Sequence, residues 1–218
     1  MQRIKHHQIL SFVQPYLPVN PIIVEAGAFD GTDTKKMAAL WPEGCVHAFE
    51  PVPENAHLLA ANTTHVENIV RHSVALSNHT GTENFHLAKN PQKMEKPCQA
   101  GSLLAPKDRL EASPMVYKEV IQVPTITLDA WAQHNDIDHV DFLWLDLQGH
   151  ELSVMKASPQ IMSTVKAIYT EVHFIDAYHG QSSYSELKQY LESLGFSMIA
   201  RDFDEPPTWF FGNALFVK

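Results

Sequence analysis

Apolar positions along this chain fall into two alternating rhythms, a helical one of about 3.6 residues and short unbroken β-branched runs. Ile9, Leu10, Phe12 and Val13 lie on one face of a helix over residues 6–17, which Pro18 ends. This predicts a short amphipathic helix that caps a core. Pro21-Ile22-Ile23-Val24 then predicts a strand buried on both faces, ending at a glycine-containing turn. Residues 32–41 read as a helix whose first amides Thr32 or Asp33 can cap. Cys45-Val46-His47-Ala48-Phe49 predicts a second strand ending at Glu50-Pro51, and residues 53–62 a second helix. A third strand is expected over residues 69–76, closed by Ser77-Asn78-His79-Thr80-Gly81, with a short strand over 83–87 beyond it.

Residues 88–124 break the rhythm with prolines, Gly101-Ser102 and little periodicity, the pattern of an insertion or lid. Regularity returns with a helix start at Thr127-Leu128-Asp129-Ala130-Trp131 and a strand over residues 140–145. The turn Asp146-Leu147-Gln148-Gly149-His150-Glu151 follows, then a helix over 150–157, a strand over 167–174 and an amphipathic helix over 185–194 stopped by Gly195. Two strands over 196–200 and 213–217, joined by a long loop, end the chain. Strand and helix alternate, so the fold class is α/β, a mainly parallel sheet with helices on both faces.

Composition bounds the size and setting. The 218 residues are 44% hydrophobic, enough for one full core. We expect residues 1–20 as an N-terminal helical extension and 21–218 as the main domain, with the insertion or lid at about 88–124. The formal net charge of -9 and the lack of dense Lys/Arg runs argue against nucleic acid as a partner. Cys45 and Cys98 suit neither a disulfide framework nor a zinc cage. With a polar N-terminus and no long apolar run, the expected setting is cytoplasmic, with no membrane association.

In an open parallel sheet, ligands bind beyond the carboxyl ends of the strands, where strand order reverses. That rule selects Glu25-Ala26-Gly27-Ala28-Phe29-Asp30-Gly31, Glu50-Pro51, Ser73-Val74-Ala75, Asp146 to Glu151, and Glu171 to Phe174. The first turn has no G-x-G-x-x-G and no G-K-[ST], so neither phosphate-binding fingerprint is present. Glu25, Asp30 and Asp33 stand where a pyrophosphate would sit, and Glu50 and Asp146 add further negative charge. An anionic crevice suits S-adenosyl-L-methionine, which carries a sulfonium, an ammonium and no phosphate. Gly27 then allows close backbone approach, Ala28 keeps the surface small, and Glu50 accepts from the ribose hydroxyls.

Asp146, His150, Glu171 and His173 are candidate bases for a hydroxyl acceptor. His173 is preferred because it titrates in the right range and lies two residues beyond Glu171 on the same strand face. With 13 histidines in the chain, a structural role for it competes. The spacing of Asp146, Glu171 and His173 does not establish a metal site, and none is expected. Asp129 reads first as a helix cap. The basic residues of the insertion, Arg109 among them, suit either an anionic acceptor or a solvated loop, and Trp209, Phe210 and Phe211 either wall a pocket or pack the last hairpin.

The chain resembles the FkbM family of class I methyltransferases over residues 22–174. The elements are the turn from Glu25 to Gly31, Phe49-Glu50-Pro51, Val74-Ala75-Leu76-Ser77, Gly101-Ser102, Thr127-Leu128-Asp129 and Asp146-Leu147-Gln148-Gly149-His150-Glu151. The last is similar to the family's Asp-x-Glu-Gly-x-Glu, with Gln148 in place of the central acid. The resemblance implies a Rossmann-like methyltransferase fold with a seven-stranded, mainly parallel sheet and a C-terminal antiparallel strand. It also implies O-methylation of a small hydroxylated acceptor such as a sugar, glycan or natural product. By its strand-end positions, the implied cofactor set is Glu25, Gly27, Ala28, Phe29, Asp30, Gly31, Glu50, Pro51, Ser73, Val74, Ala75 and Asp146, with Asp146, Glu171 and His173 as the catalytic candidates. A non-catalytic S-adenosylmethionine-binding or partner-binding module is the alternative, and a nicotinamide oxidoreductase is disfavoured by the acidic turn.

Overall fold

The computed structural model describes residues 2–94 and 96–218. Met1 of the expected extension and Glu95 of the expected insertion lie outside the described residues. The strands are β1 (Gln2–Arg3), β2 (Ile22–Ala26), β3 (Cys45–Phe49), β4 (Ile69–His72), β5 (Ala75–Leu76), β6 (Gly81–Lys89), β7 (Val116–Ile126), β8 (Phe142–Leu145), β9 (Ala167–His173), β10 (Ser197–Arg201) and β11 (Phe211–Val217). The helices are α1 (Ile9–Val13), α2 (Thr32–Leu40), α3 (Pro53–Thr63), α4 (Arg109–Ala112), α5 (Leu128–His134), α6 (Glu151–Lys156), α7 (Pro159–Thr164) and α8 (Tyr184–Ser193).

The main sheet has the order β1-β10-β11-β9-β8-β2-β3-β4. The seven strands from β10 to β4 are parallel except for β11, which runs antiparallel between β9 and β10. Each central strand is buried along almost its whole length, as unbroken apolar runs require when helices cover both faces. One apolar layer joins α2 and α3 to the sheet through Met37, Trp41 and Leu59. The other joins α5, α6, α7 and α8 through Trp131, Met155, Ile161 and Leu191. From β2 the chain winds outward to β3 and β4, then returns to β8 on the other side. The strand order therefore reverses between β2 and β8, whose ends are paired at Ala26 and Leu145.

Several local expectations are corrected. The run over 69–76 divides, because Ala75–Leu76 leaves the main sheet and pairs with β7 in a separate three-stranded sheet of order β5-β7-β6. Most of β7 lies within the region read as lacking periodicity. The first turn of α2 is served by neither Thr32 nor Asp33: Gly31 is its N-cap and the Asp30 carboxylate accepts from Thr32 N–H at 3.0 Å. Asp129 does act as a cap, but for α7, accepting from Gln160 and Ile161 N–H at 3.0 and 2.8 Å. Among the described residues no helix is long and apolar enough to cross a membrane.

Candidate active site

The site is built where the ends of β2, β3 and β8 converge. Gly27 and Ala28 both donate N–H to the Phe49 carbonyl at 3.0 Å, and Asp146 N–H donates to the Ala26 carbonyl at 3.0 Å. Gly27 has φ of +89°, and a Cβ there would collide with the Asp146 carbonyl oxygen. Glycine is thus required both by backbone conformation and by the approach of two strand ends.

Two cavities share this junction. The first is a slot of about 40 Å³ whose walls include Phe49, Glu50, Pro51, Asn55, Val74, Ala75, Phe85 and His150. The second is a cleft of about 430 Å³ whose walls include Glu25, Ala28, Phe29, Asp30, Arg109, Trp144, Gln148, Tyr169 and Glu171. Gly27, Gln99 and Asp146 line both, so the two form one bent trough.

Electrostatics differ between the halves. In the slot, Glu50 is buried and accepts from Phe29 N–H at 3.0 Å and Val52 N–H at 2.9 Å. Burial outweighs these bonds and raises its carboxyl to about 7. Four lone-pair positions serve three donors, counting the long contact from Asn55 Nδ2 at 3.5 Å, so acceptor capacity remains. In the cleft, burial raises Glu25 to about 8, although Thr34 Oγ1 donates to it. Asp146 is also raised by burial.

Glu171 stands well above the ordinary carboxylate range, through burial and then the nearby carboxyls Asp146 and Glu151. The Gln148 amide ties the pair together, its Nε2 donating to Asp146 Oδ1 at 2.7 Å and to Glu171 Oε2 at 2.8 Å. Tyr178 OH donates to Gln148 Oε1 at 2.7 Å, fixing the amide orientation. An amide at this position bridges two carboxyls that a third acid would repel.

Arg109 is buried and stacks on Phe210, 4.7 Å from the ring centroid. Among the described residues its guanidinium has no carboxylate within ion-pair distance, whereas Lys36 and His6 both reach Asp33, at 2.7 and 3.2 Å.

Most residues expected from the sequence line the trough: Glu25, Gly27, Ala28, Phe29, Asp30, Glu50, Pro51, Val74, Ala75, Asp146 and Glu171. Three do not. Gly31 turns into α2 against Leu59 and Thr63, and Ser73 is exposed where the chain leaves β4. His173 is buried behind Tyr178 and Phe211, and it lines neither cavity. Burial and the Arg109 charge push its imidazole down to about 4, which makes it a weak base. Its Nε2 lies 3.6 Å from Glu171 Oε2, so the shared strand face is as expected while access is not.

Sequence reasoning missed His6, Asn55, Gln99, Trp144 and Tyr169. Trp144 and Tyr169 were within its reach, because each sits two residues before a selected acid on the same strand face. His6 and Gln99 arrive from segments distant in sequence, whereas Asn55 stands only five residues beyond Glu50.

A reversed strand order above a glycine turn, with acids at each strand end and the seventh strand antiparallel, is the architecture of a class I methyltransferase. Solved structures agree on the fold. An rRNA methylase from Streptococcus thermophilus covers 100% of this chain and 98% of its own at a TM-score of 0.56 with 11% identity. Magnesium protoporphyrin IX methyltransferase from Synechocystis PCC 6803 covers 97% of this chain and 77% of its own at 0.51 with 10% identity. The sequence profile of the methyltransferase FkbM domain matches residues 25–198, and the chain belongs to that family. It is also 27% identical over 197 residues to the 2-O-methyltransferase NoeI of Sinorhizobium fredii, covering 90% of this chain and 79% of NoeI. The protein is therefore a methyltransferase, and its methyl donor is S-adenosylmethionine.

Proposed function

We propose that the chain transfers a methyl group to a hydroxyl oxygen of a small acceptor, a sugar, glycan or natural product, with Glu171 as the base. The observation that carries this reading is the bent trough, narrow on one side and wide and more polar on the other, with Gly27 and Asp146 at the bend. Similarity to an enzyme named as a 2-O-methyltransferase supports oxygen as the acceptor atom.

The residues fit the methyl donor on three counts. Gly27 leaves the floor of the bend without a side chain, Asn55 Oδ1 and His150 Nδ1 are buried without partners in the slot, and the acids of the cleft suit an ammonium. When bound, S-adenosylmethionine supplies a methyl group on a positively charged sulfur. Glu50 would hold ribose hydroxyls with its remaining lone pairs. Gly27, Ala28, Phe29, Asp30 and Asp146 would hold the amino-acid end.

On the acceptor side, Trp144 and Tyr169, packed on each other, add an aromatic wall to the cleft against which an acceptor ring would lie. Arg109 suits an acceptor oxygen that carries negative charge or lone pairs. Glu171 would take the hydroxyl proton as the new carbon–oxygen bond forms. Its raised pKa makes its ionised form the stronger base. Alignment of the reacting atoms by these walls contributes on the order of 7 kcal/mol.

The acidic cleft and the net charge of -9 favour a small acceptor over nucleic acid. Residues 88–124, which supply Gln99 and Arg109, would act as a lid on the domain of residues 21–218, with 1–20 as its extension. The unpaired Cys45 and Cys98 suit work in the cytoplasm.

Radiolabelled methyl transfer across a panel of glycans and hydroxylated metabolites tests the reading. Once an acceptor is found, Glu171→Gln should lose at least about 100-fold in turnover while binding S-adenosylhomocysteine as before. Unchanged turnover in that variant would remove Glu171 as base.

A further inference from the structure

Arg109 brings into the cleft a charge that its protein neighbours leave unmatched. The residue is 7% exposed and lines the cleft. Its guanidinium lies 4.7 Å from the Phe210 ring centroid and 5.9 Å from that of Phe211, so aromatic rings brace it. Tyr117 OH donates to the Ala100 carbonyl at 2.9 Å, which leaves its lone pairs to face Arg109 Nε at 3.4 Å. Tyr178 OH, 3.3 Å from Tyr117 OH, gives its own proton to Gln148 Oε1. The Nε side is therefore spent on fixing the guanidinium. Among the described residues the terminal nitrogens have no hydrogen-bond partner and no carboxylate within ion-pair distance.

The same contacts that hold α4 place this cation beside the proposed base. Lys107 and Arg109 N–H both donate to the Ala177 carbonyl, at 2.8 and 3.2 Å, and Lys107 Nζ reaches Asp176 at 2.8 Å. These residues follow directly on β9, which carries Glu171. The Arg109 charge acts on Asp146 and Glu171, yet burial outweighs it and holds both carboxyls above their ordinary range. Neither comes close enough to pair with the guanidinium. Lys36, which also lines the cleft, is already paired with Asp33 at 2.7 Å.

A buried cation without a partner is unfavourable unless a ligand brings the opposite charge. The parallel N–H groups of a guanidinium match the two oxygens of a carboxylate, one charge answering one. A phosphate monoester would instead bring about two negative charges beside Asp30 and Asp146, where like charge opposes it. Trp144 and Tyr169, with ring centroids 4.5 Å apart, wall the same cleft and give a ring an apolar face to lie on.

We propose that the acceptor is a sugar acid, whose carboxylate is taken bidentately by the terminal nitrogens of Arg109 while one of its ring hydroxyls faces Glu171. This deepens, and rests on, the reading of the cleft as the site of a hydroxyl acceptor. The carboxylate binds and takes no part in the transfer, so Arg109 acts as the residue that selects the acceptor.

The probes that test this are the methyl glycosides of glucuronic, galacturonic and mannuronic acid, each set beside its neutral hexose and its hexose 6-phosphate. Affinity for the chain saturated with S-adenosylhomocysteine is read by calorimetry, and radiolabelled transfer from S-adenosylmethionine is read in parallel. At least one uronate should bind about 10-fold or more tightly than both its neutral and its phosphorylated partner. Arg109→Gln should remove that margin, and Arg109→Lys, which keeps the charge but not the fork, should retain only part of it. The proposal is overturned if no uronate is preferred, if a 6-phosphate binds most tightly, or if a folded Arg109→Gln protein keeps the full margin. Because the first comparison uses only the wild-type chain, it stands even if a variant fails to fold. Transfer to neutral hexoses with no preference for uronates would overturn the proposal and leave O-methylation intact. Absence of transfer to any hydroxyl across the wider panel would strike that reading, and the proposal with it.

Discussion

The slot and the cleft share Gly27, Gln99 and Asp146 yet differ in almost every physical respect. The slot is tight, walled by Phe49, Val74, Ala75 and Phe85, and burial shifts Glu50 and His150 towards their neutral forms. The cleft is about ten times larger, from about 40 to about 430 Å³, and gathers Glu25, Asp30, Asp33, Asp146 and Glu171 with Arg109 above them. The difference teaches that one trough is graded for a ligand with two unlike ends: a flat neutral base and a charged amino-acid tail beside the reacting centre. A phosphate-bearing dinucleotide would place its anionic middle against Asp146 and Asp30, where like charge opposes it.

Breaking the slot side should have the larger effect. Glu50→Ala removes the acceptor expected for the ribose hydroxyls, and two charge-assisted bonds contribute about 3 kcal/mol together. S-adenosylhomocysteine affinity should fall roughly 100-fold in calorimetry, with the thermal midpoint reported alongside to separate binding from folding. Unaltered affinity would mean that Glu50 serves the turn alone, through Phe29 and Val52 N–H.

A smaller effect sharpens the contrast under acid. His47 and His72 stack with ring centroids 5.4 Å apart, beside the slot residue Phe49 and Trp131. Burial pushes both imidazoles from 6.5 to about 4. The unfolded chain binds these protons more readily, so stability is lost as pH falls from about 6.5 towards 4. The carboxyls of the trough behave oppositely. Glu25, raised to about 8, and Glu50, raised to about 7, are protonated more readily in the folded state, so their contribution is lost as pH rises from 4.5 through those values. Thermal melts of wild type and His47→Gln/His72→Gln should converge by about 1–2 kcal/mol between pH 6.5 and 4.5, a figure reduced for the partial exposure of His72. Parallel pH curves would contradict it.

Much of the sheet was legible because its strands are continuous apolar runs bounded by Gly, Pro and Asn. β7 was not, because Val116–Ile126 is exposed on much of both faces, and Lys118, Glu119 and Gln122 interrupt any alternation. α7 was hidden for another reason: its first amides are held by Asp129, about thirty residues earlier in the chain. The strand-end acids were found because strand period and strand-end geometry suffice to place them. The misplaced base has a plain physical cause. His173 shares a face with Glu171, but aromatic packing from Tyr178 and Phe211 encloses it, and such packing leaves no local signal. Arg109 was seen as charge but not as a buried wall of the cleft, since α4 reaches the site through contacts with residues 176 and 177.

The central claim is that the trough takes a cationic, phosphate-free nucleoside. Titration of the wild-type protein with S-adenosylhomocysteine and, separately, with NAD tests it most directly. Saturable binding of S-adenosylhomocysteine at one site per chain, with no heat from NAD, is the predicted result. Binding of NAD at that site, or no binding of S-adenosylhomocysteine, would contradict it.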